Sequence, residues 1–267
     1  MVSSQKIDTN DKIIFQRMKK TEVVILSAGK GSRMKSDVPK ILLEIEAETI
    51  LSRIVRLLKA NGFNEAVFVL GYKSKSVVSM LKELDFDSKI VIQSDLNGTA
   101  KALELGLNMV AKDTENVLVL YGDDAGLYKP SSIKKLIKGQ DTAKNIATFM
   151  ILKDHRVSDI GGLEVNSGGE VLAVRSMKQI VDNPKSLHYI LCGAFCFDFE
   201  WIKNNIKKIK VNPFSGEYPL PQIVEVARNQ KLIIQGVELI NPLEWESVNT
   251  PNDLNIANKK KYMQMSK

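Results

Sequence analysis

The chain has 267 residues, 44% hydrophobic and 26% charged, with a net charge of +7, which is ordinary globular usage and enough length for one large core or one and a half. No apolar run approaches the roughly 20 residues that span a bilayer, and the polar start Met1-Val2-Ser3-Ser4-Gln5-Lys6 lacks the apolar region of a signal peptide, so a cytoplasmic protein without membrane contact is expected. Much of the positive charge sits in Lys203, Lys207, Lys208 and Lys210 and in Lys259, Lys260, Lys261 and Lys267 without interleaved aromatics, which reads as a solvated helix face and a basic tail and argues against a specific nucleic-acid surface.

Residues 1–20 show no stable period and are expected to form a mobile tail. The first apolar run, Val23–Ser27, predicts a buried strand. It leads into Leu26-Ser27-Ala28-Gly29-Lys30-Gly31-Ser32-Arg33-Met34, which continues to Pro39-Lys40. Glycine at 29 and 31 lets the main chain approach an anion closely, and Arg33 and Lys40 place charge on either side of a short loop. The dinucleotide fingerprint would need glycine where Met34 stands, and the P-loop would need a Gly-Lys-Ser/Thr triplet that is missing. The loop is read as a polyphosphate site of another kind.

Next along the chain, Ile50, Leu51, Ile54, Leu57 and Leu58 predict a helix, followed by a strand at Ala66–Leu70. A second helix is expected along Val77, Met80, Leu81 and Leu84, and a strand at Lys89–Gln93. The connection Gln93-Ser94-Asp95-Leu96-Asn97-Gly98-Thr99 then opens a helix along Ala100, Leu103, Leu107 and Val110. Gln93 offers a donor and an acceptor to a pyrimidine edge and Gly98-Thr99 opens backbone donors to the same crevice, although a strand end and a helix cap would also explain them. The strand Val117–Tyr121 ends in Tyr121-Gly122-Asp123-Asp124. A carboxylate there suits Mg²⁺, which takes one or two protein ligands, while an Asp pair also commonly caps a turn. With a further strand at Ile146–Leu152 the rhythm is βαβ, so the fold class expected is α/β: a Rossmann-like, doubly wound, mostly parallel sheet.

From about 153 to 197 the pattern changes to short strands punctuated by Gly161-Gly162, Ser167-Gly168-Gly169 and Asn183-Pro184, predicting an inserted antiparallel segment. Cys192 and Cys196 share one strand and one face and are read as reduced core residues. His155 and His188 are read as surface or loop residues, outside any chemistry. Helices are expected at Trp201–Ile209 and Leu220–Asn229, a strand at Leu232–Gly236 and a last helix after Pro251. Before it, Asn249 in Trp245-Glu246-Ser247-Val248-Asn249-Thr250-Pro251 is either a second Mg²⁺ ligand or the helix N-cap.

The glycine loop with Arg33, Met34, Pro39 and Lys40 resembles the signature of the sugar-nucleotide pyrophosphorylases. The Lys-Ser-Asp-Val-Pro-Lys run at 35–40 is most similar to their N-acetylglucosamine-1-phosphate uridyltransferase branch. The resemblance spans 21–258, taken as one nucleotidyltransferase domain, and includes Ser215-Gly216-Glu217-Tyr218. It implies a Mg²⁺-dependent enzyme that joins a nucleoside triphosphate, UTP by preference, to a sugar 1-phosphate and releases pyrophosphate. Residues Leu26, Ser27, Ala28, Gly29, Gly31 and Ser32, together with Tyr121 and Gly122, would bind the substrates. Arg33, Lys40 and Asp123 would be catalytic, Asp123 and Asn249 would hold Mg²⁺, Gln93, Gly98 and Thr99 would contact uracil, and Gly162 would line the sugar site.

The chain departs from that branch where the sugar is read. Ser176 stands in place of a glutamate and Leu191-Cys192-Gly193 in place of Asn-Thr-Gly; a separate departure, Ala47-Glu48-Thr49 in place of Gly-Lys-Pro, alters a turn more than the chemistry. Lost polar contacts imply poor recognition of an acetamido sugar. No hexapeptide repeat is present, so the acyltransferase β-helix often fused to the uridyltransferase is not expected. Three other readings stand beside this one: a cytidylyl- or thymidylyltransferase of the same fold acting on another phosphorylated acceptor, a non-catalytic nucleotide-binding regulator, and a nucleic-acid-binding module.

Overall fold

The computed structural model describes residues 19–141, 145–182 and 187–266. Most of the tail expected at 1–20 lies outside the described residues. The first half contains strands β1 (Thr21–Ser27), β2 (Glu44–Ile45) and β3 (Glu48–Thr49), helix α1 (Ile50–Ala60), β4 (Glu65–Leu70), α2 (Ser74–Glu83), β5 (Asp87–Ile92), α3 (Thr99–Leu107) and β6 (Asn116–Tyr121). The second half follows with α4 (Pro130–Gln140), β7 (Asn145–Leu152), α5 (Val157–Ile160), β8 (Gly162–Val165), β9 (Val171–Arg175), α6 (Met177–Asp182) and β10 (Leu187–Asp198). It closes with α7 (Phe199–Asn205), α8 (Ile223–Asn229), β11 (Ile233–Glu238) and α9 (Pro251–Met265).

The central sheet has the order β11-β7-β10-β6-β1-β4-β5. The pairs β1–β4, β1–β6, β4–β5 and β11–β7 are parallel, while β10 runs against both β6 and β7. The strands are apolar on both faces because both are covered. In β1, Val23 and Ile25 join one buried cluster with α1 and α4, and Val24 and Leu26 join the other with α3, α7 and α8. This is the doubly wound α/β arrangement the alternation predicts.

Local chemistry starts the elements where they start. Thr49 caps α1 by accepting a hydrogen bond from the Ser52 N–H, and Pro130 sits at the first turn of α4, where its missing N–H costs nothing. Helix α4 adds to the three helices expected in the first half; its apolar face is only Ile133, Leu136 and Ile137.

The antiparallel segment is present as β8 and β9, which pair with each other and, through β8, with β10. Its final strand is not separate, because β10 continues into the central sheet between β6 and β7. A second difference concerns the C-terminus. Residues 259–265 continue α9, where Lys260 Nζ pairs with buried Glu246 at 2.8 Å and donates to the Trp245 carbonyl at 2.6 Å. The chain is therefore helical through Met265, and Lys260 is held by these contacts in place of being solvated. Both cysteines are free and buried, as expected, and burial pushes both thiols up. No helix among the described residues is long and apolar enough to cross a membrane.

Strand order sets the position of any ligand. From β1 the chain builds β4 and β5 on one side, then returns to place β6 on the other. Ligands of such sheets gather beyond the carboxyl ends of the strands, at the point where the order reverses. Here the loops after β1 and β6 meet at that point.

Candidate active site

A cleft of about 670 Å³ opens there, lined by Leu26 through Arg33, by Pro39 and Lys40, by Gln93, Gly98 and Thr99, and by Tyr121, Asp123, Asp124, Ser247 and Asn249. It gathers segments separated by more than 200 residues of chain. The two loop glycines do different work. A Cβ on Gly29 would meet nothing within 4 Å, so that position faces open space. Gly31 has φ +63°, and a Cβ there would lie 2.7 Å from Lys40 Cγ. Its role is to let the Lys40 stem cross the loop in a left-handed turn that side chains disfavour. Among the described residues, none accepts a hydrogen bond from the N–H of Gly29, Lys30 or Gly31.

The cationic and acidic groups converge. Lys40 Nζ pairs with the Asp123 carboxylate and donates to Asn249 Oδ1 at 3.0 Å. Arg33 donates to the same Asn249 oxygen at 3.1 Å. Two side-chain oxygens from distant parts of the chain therefore point at one positive charge. The Val248 N–H donates to the Asp123 carbonyl at 3.0 Å, which sets the register between the two segments. Among the described residues, no group of three or more His, Cys, Asp or Glu side chains is placed to hold a metal.

Asn249 is not the N-cap of α9. Thr250 is the N-cap of α9, in a capping box with Asp253. The Asn249 side chain takes no part in the cap; its Nδ2 donates to Ser247 Oγ at 2.7 Å. Expecting Asn249 as the cap was one position too early.

At the other end of the cleft, Gln93 is buried and its Nε2 donates to Asn97 Oδ1 at 3.1 Å and to the Gly98 carbonyl at 3.2 Å. The donor half of the expected donor–acceptor pair is thus used internally, leaving Oε1. Gly98 has φ +109°, and a Cβ there would sit 2.5 Å from Tyr218 N. The Gly-Glu-Tyr segment docks on this turn, with Tyr218 N–H donating to Asn97 O and Ala100 N–H to Tyr218 O. Thr99 does not cap its helix. Its Oγ1 accepts from the Leu220 N–H at 2.9 Å and from the Tyr121 hydroxyl at 3.3 Å, tying the third connection to β6. Gly122 packs closely on Ser27, whose Cβ and Oγ would lie 3.0 Å from an added Cβ.

Gly162 lies elsewhere. It lines a second cavity of about 390 Å³ with Ser176, Met177, Ile190, Leu191 and Pro221. Pro221 also lines the main cleft, so the two spaces adjoin. Gly162 has no Cβ because one would overlap the Tyr189 carbonyl across the β8–β10 pair. Leu191 and Ser176 face this cavity, whereas Cys192 is buried in the core and does not. His155 and His188 line neither space.

Asp124 and Ser247 are cleft residues to which the sequence alone assigns no role. Asp124 is 5% exposed, and burial, with Asp123 beside it, holds its carboxyl well above the usual range. Ser247 lies between Asp124 and Asn249. The available signal was the doubled aspartate at 123 and 124, which pattern alone assigns equally well to a turn.

Residues 23–191 match the family model of the MobA-like NTP transferase domain. The chain is 30% identical over 203 residues to the bifunctional protein GlmU of Streptococcus mutans, covering 76% of this chain and 43% of that protein. It is 30% identical over 240 residues to GlmU of Pelotomaculum thermopropionicum, covering 90% of this chain and 51% of that one. The chain thus spans about half the length of these curated relatives. In fold it is similar to the inositol-1-phosphate CTP transferase from T. maritima, with a TM-score of 0.71, 18% identity and coverage of 92% of this chain and 98% of that one.

Proposed function

The chain belongs to the family of nucleotidyltransferases that carry the MobA-like NTP transferase domain, and from that premise we propose that it joins UTP to a phosphorylated sugar-like acceptor with Mg²⁺ and releases pyrophosphate. The observation that carries this reading is the convergence of Arg33, Lys40, Asp123 and Asn249 beside an open glycine loop.

The donor set fits Mg²⁺. A carboxylate and an amide oxygen are hard ligands, both already turned toward one cation, and Mg²⁺ takes its remaining ligands from phosphates and water. Bound there, the ion would neutralise charge on the triphosphate and on the phosphorus under attack. An acceptor phosphate oxygen attacks the α-phosphorus in line; the new O–P bond forms as the bond to the β-phosphate oxygen breaks, and pyrophosphate departs with the electron pair. No covalent enzyme intermediate is needed, so positioning and charge do the catalysis. Free N–H groups of Gly29, Lys30 and Gly31 hold the phosphates. Arg33 holds the leaving β- and γ-phosphates, and Lys40 bridges the acceptor phosphate and the α-phosphate.

The base rests against Gln93, Gly98 and Thr99. With Nε2 committed to Asn97 and Gly98, Gln93 Oε1 accepts from the N3–H of uracil. Gln93→Ala is expected to reduce the preference for UTP over ATP and GTP, by roughly 1 to 3 kcal/mol for a lost contact to a buried group, while triphosphate binding persists. Competition among the four nucleotides in one assay checks this. Unchanged selectivity in a folded variant would remove Gln93 from base recognition.

The acceptor body enters the second cavity through the junction at Pro221. Its wall is apolar at Met177, Ile190 and Leu191, and Arg175 Nε is already bound to Glu164 at 2.6 Å. N-acetylglucosamine 1-phosphate is therefore expected to turn over poorly beside acceptors without an acetamido group. Comparison of kcat/KM across a panel of phosphorylated acceptors measures it. Efficient use of that sugar would contradict the assignment of Ser176 and Leu191 to its recognition.

A further inference from the structure

Asp124 and Ser247 make contacts that the proposed reaction does not use. Asp124 is buried beside Gly193, which has φ +62° and whose added Cβ would overlap the Asp124 carboxylate. Strand β10 bulges between Leu191 and Phe195, and that irregularity makes room for the carboxylate. Trp245 Nε1, also buried, donates to Asp124 Oδ2 at 3.4 Å. The Ser247 hydroxyl lies beside the same carboxylate and favours its charged form. Its oxygen in turn accepts from Asn249 Nδ2 at 2.7 Å.

An asparagine amide has two ends of opposite polarity, and only the oxygen binds a cation. In the structure, three contacts fix which end faces the cleft: Arg33 and Lys40 on the oxygen and Ser247 on the nitrogen. Under the proposed function, which this inference rests on, both cations move their charge to the phosphates when nucleotide binds. The Ser247 contact then remains as the side-chain hold on the amide. We infer that Asp124 and Ser247 are positioning residues: Asp124 orients the Ser247 hydroxyl, and Ser247 holds the Asn249 amide with its oxygen toward the metal. Partners of this kind, one step out from a ligand, commonly change metal affinity by 10- to 100-fold when removed.

The test is Mn²⁺ binding by electron paramagnetic resonance, in the presence of α,β-methylene analogues of UTP and CTP. The proteins compared are the full chain and its Ser247→Ala, Ser247→Thr, Asp124→Ala and Asp123→Ala variants. Ser247 is half-buried and its loss removes one oxygen atom, so that variant retains the fold; thermal melting verifies it. Ser247→Ala is expected to weaken Mn²⁺ by about tenfold or more, with nucleotide affinity measured without metal unchanged. Ser247→Thr, which keeps the hydroxyl, restores Mn²⁺ affinity, and Asp124→Ala follows Ser247→Ala. If Asp123→Ala loses Mn²⁺ while Ser247→Ala binds it as the unmodified chain does, the positioning role is wrong and the metal site stands. If Asp123→Ala also binds Mn²⁺ normally, the metal site itself is misplaced and the inference falls with it.

Discussion

Asp123→Asn is expected to cut turnover by on the order of 10³-fold, equivalent to about 4 kcal/mol of lost transition-state stabilisation. The substitution keeps the shape of the side chain and exchanges a charged oxygen ligand for a neutral one. Asp123 follows β6 at the reversal point of the sheet, and the Val248 N–H fixes its backbone, so the variant should fold. The carboxylate has a second duty in the unliganded protein, where it pairs with Lys40. Removing its charge frees Lys40 while leaving the metal short of its anionic ligand. Nucleotide affinity without metal should therefore hold or rise as turnover collapses. Steady-state kinetics over a Mg²⁺ titration separates these effects. Near-normal turnover, saturating with Mg²⁺ as before, would withdraw Asp123 from the reaction.

Lys40→Ala is expected to lower kcat by about 10²- to 10³-fold, the scale seen when one preorganised charge is removed from a developing anion. Nucleotide KM should change far less. The reason is that a group bridging acceptor and α-phosphate is needed most when negative charge is redistributed at the α-phosphorus. Gly31 is part of the same device, since the Lys40 stem lies where a side chain at 31 would be. Arg33→Ala should act in the same direction. A variant that raises KM by a uniform factor and leaves kcat alone makes its residue a binding contact.

Much of the site was legible because its pieces are local. A glycine loop after a buried strand, a carboxylate after a second strand and a Gly-Thr helix start each carry their signal within a few residues. The strand alternation reports which faces are buried, so the doubly wound sheet follows from it. What stayed hidden was tertiary. Asn249 and Thr250 are adjacent candidates for one cap, and only the Thr250–Asp253 box decides between them. Gln93 lost its free donor to Asn97 and Gly98, a fold-back within one connection that sequence spacing does not report. Asp124 looked like half of a turn, because its meaning depends on Gly193 in a strand far along the chain. The lysines of 259–261 looked like solvated tail charge; Glu246, buried at the helix they extend, explains why Lys260 is ordered. The departures at 176, 191 and 192 also separate in three dimensions, with Ser176 and Leu191 at the second cavity and Cys192 in the core.

The central claim is nucleotidyl transfer, and pyrophosphate release tests it most directly. The four nucleoside triphosphates are each mixed with a panel of sugar and polyol phosphates, with Mg²⁺ and with the metal chelated. The prediction is release of pyrophosphate, not orthophosphate, that requires both the acceptor and Mg²⁺ and is greatest with UTP. Nucleotide binding without pyrophosphate release for every nucleotide and acceptor pair would contradict it, and would make the protein a nucleotide-binding regulator.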